Sequence, residues 1–300
     1  MLPPVSYDNL TNIGVDEISF KKGYKYITII YDLSDGKAKP IDYNQGNKRE
    51  SLEAFFRKLT EQQKTSIKTV NTDMAKAYIA AIKGELPQAD IIIDKFHLVN
   101  LLNQAVDLVR KSIIAGMAKK TNQQIMKKGG LKITGQEIEK IQKRIGVLTS
   151  KETSKARWVL LKHQRNHSQS QAGLLAKLEK LNSPLYKAYL LKEQFYEIYK
   201  SGGNPEQSVQ RIKDWIEEVK QTKLRALIDF CKTVESNMDY IANYFKYGRT
   251  SGAIEGVNNK IKVIKRMAYG YRDQQYFFRK IRSKYSDLPR LHLLFALSEG

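Results

Sequence analysis

The sequence predicts a mixed α/β domain interrupted by an all-helical insertion, and three observations carry that reading. Strand-like runs with hairpin punctuation crowd the first 45 residues, and strand and helix patterns then alternate to about residue 93. From about residue 97 to 245, strand-like runs and prolines become scarce, while Leu, Lys, Gln and Glu recur at helical spacing. At Glu255 a basic helical pattern opens and returns the chain to the first domain.

Taken in order, residues 12–45 read as strands. Lys25 to Asp32 is rich in β-branched and aromatic residues, Ser34-Asp35-Gly36-Lys37 supplies a hairpin turn, and Ala38 to Gln45 is the return strand. A helix fits 49–60, where Leu52, Phe55, Phe56 and Leu59 keep the i, i+3, i+4, i+7 spacing. A short strand at 67–71, a helix at about 74–85 and a strand over 89–93 follow, giving three antiparallel strands and then β after α after β. Helices are expected over Asn100 to Ala118, Gln136 to Arg144, Lys151 to Gln164, Leu174 to Leu181, Leu185 to Lys200, Pro205 to Val219 and Lys223 to Phe245. Breaks fall at Gly129-Gly130, Asn182-Ser183-Pro184 and the run from Ser201 to Pro205. The domain plan is therefore 1–105 for the first part of the α/β domain, 106–240 for the insertion and 241–300 for the part carrying the Glu255 helix.

Composition narrows the partner. With 300 residues, 41% of them hydrophobic, the chain can bury one large core or two ordinary ones. Its 52 Lys and Arg against 31 Asp and Glu leave a formal charge of +21, which calls for a polyanion, and nucleic acid is the default one. A merely Lys-rich protein is the plainer alternative. One cysteine, Cys231, excludes an internal disulfide framework and a cysteine-based zinc site, and its apolar helical setting reads as core. No apolar stretch is long enough to span a bilayer and no secretory signal opens the chain, so the cytoplasm is the expected compartment.

Three acidic residues stand in distinctive settings. Asp16 ends the apolar run from Ile13, as if where a buried strand reaches the sheet edge, and Asp73 lies just past the run from Ile67. Glu255 shares one helix face with Asn258, Asn259, Lys262 and Arg266, opposite Ile254, Val257, Ile261 and Ile264. Carboxylates at strand ends suit hard divalent cations, and two such ions can serve phosphoryl transfer. Each Asp can equally be a loop or cap residue: Asp73 precedes the Met74 to Tyr78 helix start, and Glu255 can be a plain ion-pair partner. Asp94 and His97, three residues apart at a strand-to-helix junction, can pair near the metals or serve as a cap and a structural histidine. Residues 246–290 hold twelve Lys/Arg and three Asp/Glu, interleaved with Tyr269, Tyr271, Tyr276, Phe277 and Phe278. The cations fit phosphates, and the aromatics either stack on exposed bases or face the core.

Together these strings resemble the catalytic region of DDE transposases of bacterial insertion sequences, in the ISL-three family. The matching stretches are Val15 to Tyr26, Asp73-Met74-Ala75-Lys76-Ala77-Tyr78, Pro87 to Asp90 leading to Asp94-Lys95-Phe96-His97-Leu98, and Ser251 to Lys262 with Lys265-Arg266 and Tyr269-Gly270-Tyr271-Arg272 beyond. Their order and spacing match along nearly the whole chain. The resemblance implies an RNase H-like fold, Asp16, Asp73 and Glu255 as the catalytic metal ligands, and DNA strand cleavage and transfer with Mg²⁺, for which Mn²⁺ can substitute. It implies Asp94, His97 and Asn258 as supporting residues of that site, and the helices between Asp94 and Glu255 as the insertion domain. Arg249, Lys260, Lys262, Lys265, Arg266 and Arg272 are the expected contacts to double-stranded DNA, and a homodimer on DNA is the expected assembly. Relatives usually begin with a Cys-rich zinc-binding segment and a helix-turn-helix, whereas this chain starts about fifteen residues before Asp16. A truncated product or a fragment is therefore expected, and a catalytically silent DNA-binding remnant is the alternative to an active enzyme.

Overall fold

The computed structural model describes residues 4–21, 25–93, 95–127, 136, 150–180, 183–201, 204–248 and 252–285. The chain divides into two compact units: residues 1–95 with 247–300, and residues 96–246.

The first unit is built on five strands, β1 (Asn12–Lys21), β2 (Lys25–Asp32), β3 (Lys39–Gln45), β4 (Thr69–Thr72) and β5 (Asp90–Ile93), in the order β3-β2-β1-β4-β5. β1, β2 and β3 are antiparallel neighbours, while β1–β4 and β4–β5 are parallel. Order and direction are consistent with an RNase H-like core. Parallel pairing of β1 with β4 needs a crossover, which is supplied by α1 (Arg49–Phe56) and α2 (Glu61–Ser66); α3 (Lys76–Glu85) then links β4 to β5. The helix expected over 49–60 ends at Phe56, and a second helix starts after Thr60. Thr60 caps α2: its hydroxyl accepts from Gln63 N–H at 3.2 Å, and the Gln63 side chain accepts from Thr60 N–H at 3.0 Å.

Period-2 alternation sorts the side chains between two faces of the sheet. One face meets α3, where Thr28 Oγ1 and the Tyr78 hydroxyl lie 2.8 Å apart. On the other face Ile18, Phe20, Ile27, Ile29 and Tyr31 pack with Ile254, Val257 and Ile261 of α11 (Gly252–Met267) and Phe277, Phe278 and Ile281 of α12 (Gln274–Ser283). The apolar stripe expected for the Glu255 helix thus covers β1 and β2. Tyr247 also ties back to this unit, its hydroxyl donating to Asp90 Oδ2 at 2.6 Å.

The second unit is helical among its described residues: α4 (Lys95–Lys127), α5 (Ser150–Leu161), α6 (Gln169–Lys180), α7 (Pro184–Lys200), α8 (Pro205–Lys220), α9 (Arg225–Ser236) and α10 (Met238–Tyr247). α7 and α8 begin with proline, each capped from the preceding residue: Ser183 Oγ accepts from Leu185 N–H at 3.1 Å, and Asn204 Oδ1 from Glu206 N–H at 2.8 Å. Phe195, Trp215 and Phe230 interlock at its centre, and Trp215 Nε1 donates to Leu191 O at 2.8 Å. Several expected bounds shift. Lys223 to Phe245 is two helices, broken at Asn237 (φ −120°), whose amide donates to Thr233 O at 2.8 Å. The helix expected from Asn100 starts at Lys95, and that expected from Leu174 starts at Gln169. The helix expected over Gln136 to Arg144 lies outside the described residues, save Gln136 itself. No helix among the described residues is long and apolar enough to cross a membrane.

Candidate active site

Asp16 is not at a strand end. It lies inside β1, paired with Ile29 of β2, because β1 runs on antiparallel to β2 as far as Lys21 after its parallel pairing with β4 has stopped at Gly14. The carboxylate therefore sits where β1 loses its β4 neighbour, which opens space beside it without ending the strand. The β1–β4 register pairs Asn12 with Thr69, Ile13 with Val70 and Gly14 with Asn71. Asp16 and Asp73 each lie two residues past that last pair, and Asp16 shares the sheet face of Ile18 and Phe20. Because Asp16 pairs with Ile29, this is also the face covered by α11 and α12.

Asp73 follows the last residue of β4, as expected. Its Oδ1 accepts from Ala75 N–H at 2.9 Å, so it caps the turn into α3. Among the described residues none bonds its Oδ2, which leaves one oxygen for the cap and one for a ligand.

Glu255 lies in the first turn of α11, half-buried, and among the described residues it forms no ion pair. One turn on, Asn258 is only 5% exposed and bridges two groups: its Nδ2 donates to Asp16 Oδ2, and its Oδ1 accepts from the Tyr31 hydroxyl at 2.5 Å. Asp16 Oδ1 accepts from Glu17 N–H at 2.7 Å. α11 can approach this closely because Gly14 lacks a side chain: a Cβ there would drive into Ile254 Cδ1 and stand 3.2 Å from Leu33 Cδ1 and 3.3 Å from Ile254 Cγ1.

Two tyrosines register the local charge. Burial raises the pKa of Tyr31 well above its usual value of 10.0, and the negative charge of Asp16 adds to the rise. Tyr78 is raised first by burial; its hydrogen bond to Thr28 opposes, and the charges of Glu17, Asp73 and Asp16 reinforce. Both carboxylates are therefore close enough to one phenol to disfavour its ionisation. In kind the donors suit a hard divalent cation, being carboxylate oxygens at a widening between strands. Among the described residues, however, no three His, Cys, Asp or Glu side chains are gathered into a metal-holding group.

Of the other expected residues, Asp94 and Arg249 lie outside the described residues. His97 stands in α4, half-buried, its ring edge-on to Phe96 at 6.2 Å. Lys260, Lys262, Arg266 and Arg272 are exposed, and Lys260 Nζ lies 5.9 Å over the Tyr285 ring. Lys265 is half-buried and donates to the Ser19 carbonyl of β1. Tyr31, Gly14 and Tyr78 escaped the sequence reading. A glycine inside a strand pattern two residues before a singled-out Asp is a signal for close backbone approach, and it marks Gly14. Nothing in the local pattern marks the tyrosines.

The ISL3 DDE family model, described as "Transposase", matches residues 13–281, which take in β1, β4 and the whole of α11. The chain belongs to the ISL-three family of DDE transposases. Within curated members the transposase for insertion sequence element IS1001 of Bordetella parapertussis is 30% identical over 280 residues, covering 93% of this chain and 62% of that protein. The transposase for insertion sequence element IS1557 of Mycobacterium tuberculosis strain CDC 1551 / Oshkosh is 27% identical over 269 residues, 90% of this chain and 59% of that protein. The chain thus spans about three fifths of the length of the transposases it matches.

Proposed function

We propose that this chain carries the catalytic centre of an insertion-sequence transposase, cleaving DNA strands and joining them by phosphoryl transfer at Asp16, Asp73 and Glu255. One observation carries the reading. Asn258 bonds Asp16 from the same helix as Glu255 and one turn beyond it, which ties that helix to β1 across 242 positions of sequence. Asp16, Asp73 and Glu255 would hold Mg²⁺ or Mn²⁺, which supplies activation of an attacking oxygen and stabilisation of the leaving one.

The side chains have separable tasks. Asn258 holds one oxygen of Asp16 in place and keeps the carboxylate turned toward α11. Asp73 presents Oδ2 while its other oxygen is fixed by the turn. In the first step a water oxygen attacks phosphorus, the strand's P–O bond breaks and a 3′-hydroxyl is released. That 3′-oxygen then attacks a target phosphodiester, forming a new P–O bond and expelling the target's own 3′-oxygen. The exposed Lys262 and Arg266, on the Glu255 helix, hold phosphates beside the carboxylates. Double-stranded DNA as substrate, a homodimer with one DNA end per protomer and the cytoplasm as compartment complete the proposal.

The test is metal-dependent nicking and strand transfer on a pre-cut DNA end by the parent, Asp73→Asn and Glu255→Gln, after equal DNA binding is confirmed. The expected result is product from the parent only, with Mg²⁺ or Mn²⁺ added. Product from all three refutes the carboxylate assignment, and equal binding without product from any favours the silent DNA-binding reading.

A further inference from the structure

The five aromatics interleaved with the C-terminal cations separate in the structure. Phe277 and Phe278 are buried against the sheet, and Tyr271 packs its ring 4.7 Å from that of Phe277. Tyr276 is 57% exposed and leans on Tyr271 at 6.0 Å. Tyr269 does the opposite of Phe277: its side chain is fully exposed, at 102%.

Its backbone is equally unusual. Tyr269 N–H donates to Arg266 O and Gly270 N–H to Lys265 O, both at 3.0 Å, closing the end of α11 in the pattern whose left-handed residue is ordinarily glycine. That residue here is Tyr269, with φ +51°. A side chain is disfavoured in this conformation, and a ring that buries nothing returns no hydrophobic stabilisation. Folding therefore gives no reason for tyrosine over glycine. The surroundings suggest one: Tyr269 borders a concavity of about 750 Å³ whose lining also includes Arg266, Arg272 and Tyr271.

We propose that Tyr269 is a stacking platform for an unpaired nucleobase of a DNA strand whose phosphates are held by Arg266 and Arg272. The assignment rests on the DNA-processing reading above and names which part of the DNA this turn recognises. A base paired within duplex is already stacked on both faces, so the ring is suited to a frayed or single-stranded nucleotide. The left-handed turn keeps the ring out of the protein's own core, and the flanking guanidinium groups supply sequence-independent attraction to the backbone.

The test compares the 300-residue chain with Tyr269→Gly and Tyr269→Phe, by fluorescence anisotropy at fixed ionic strength. The probes are a single-stranded thymidine oligonucleotide, a base-free oligonucleotide of equal length and a duplex. Tyr269→Gly suits the left-handed turn, so its fold is retained and its melting temperature does not fall. The expected result is a loss of about 5- to 100-fold in affinity for the thymidine strand alone, with Tyr269→Phe matching the parent. Unchanged thymidine-strand affinity in Tyr269→Gly overturns the proposal, as does an equal loss on all three probes. If the parent itself binds none of the probes, the DNA-processing reading fails and this assignment falls with it.

Discussion

Replacing Asn258 by Ala tests whether the helix carrying Glu255 is tied to the sheet by polar contact as well as by apolar packing. Asn258 is 5% exposed and accepts from a Tyr31 hydroxyl that is itself wholly buried. Removing the acceptor strands that hydroxyl, which costs about 1–3 kcal/mol. The deleted amide adds a small cavity, about 1 kcal/mol for so few atoms. Asp16 loses a donor too, but it is half-exposed and water replaces the bond at little cost. The sum is about 2–4 kcal/mol. Both tryptophans, Trp158 and Trp215, belong to the helical unit, so tryptophan fluorescence does not report on the loss. Hydrogen exchange at the amides of β1 and β2 does, through the free energy of their slowest opening. Asn258→Ala in a Tyr31→Phe background leaves no hydroxyl to strand, so its added cost there is expected at about 1 kcal/mol, from the cavity alone. A drop under about 0.5 kcal/mol for Asn258→Ala, or equal cost in both backgrounds, would refute the bridge.

Further outcomes follow from other residues. Gly14→Val should cost about 1–3 kcal/mol by overpacking against Ile254 and Leu33, lowering strand-transfer product while DNA affinity holds; Gly14→Ala should cost less, since the tip of Ile254 can swing aside. Burial keeps Tyr31 and Tyr78 protonated above the pH at which their unfolded counterparts ionise, near 10.0, so the stability they contribute is complete below that pH and lost above it. Each should remove about 1.4 kcal/mol per pH unit in that window, and a urea midpoint followed by circular dichroism should fall above pH 10 and fall less in Tyr78→Phe. Burial pushes the Cys231 thiol up to about 12, so a thiol reagent at pH 8 should label the chain only after the helical unit unfolds.

Much of the fold was legible because its signals are local. The β-branched run of β2, the hairpin turn before β3 and the proline-led starts of α7 and α8 each follow from a few neighbouring residues. The misses share a different cause. Residues 49–60 keep one helical apolar rhythm, yet α1 stops at Phe56, and the reciprocal bonds of Thr60 and Gln63 open a new helix just beyond. Similarly, the rhythm from Lys223 to Phe245 does not register the break at Asn237. The apolar run ending at Asp16 points to a strand end there, yet pairing with β2 carries β1 on to Lys21. For the candidate site, the three carboxylates stand out by context, but what ties Asp16 to the Glu255 helix is long-range. Asn258 reaches Asp16 across 242 positions and Tyr31 across 227, and no local pattern encodes such a bond.

The α/β unit is completed by a segment that the ribosome makes only after the whole helical unit. When residue 95 emerges, all five strands exist, yet the face bearing Ile18, Phe20, Ile29 and Tyr31 has no cover until α11 and α12 arrive. At about 5–20 residues per second, the roughly 150 intervening residues take on the order of 8–30 s to synthesise. Throughout that interval the nascent sheet presents a bare apolar surface, a natural substrate for holding chaperones. It also lacks Glu255, so of the three carboxylates proposed to act together a nascent chain at that stage carries two.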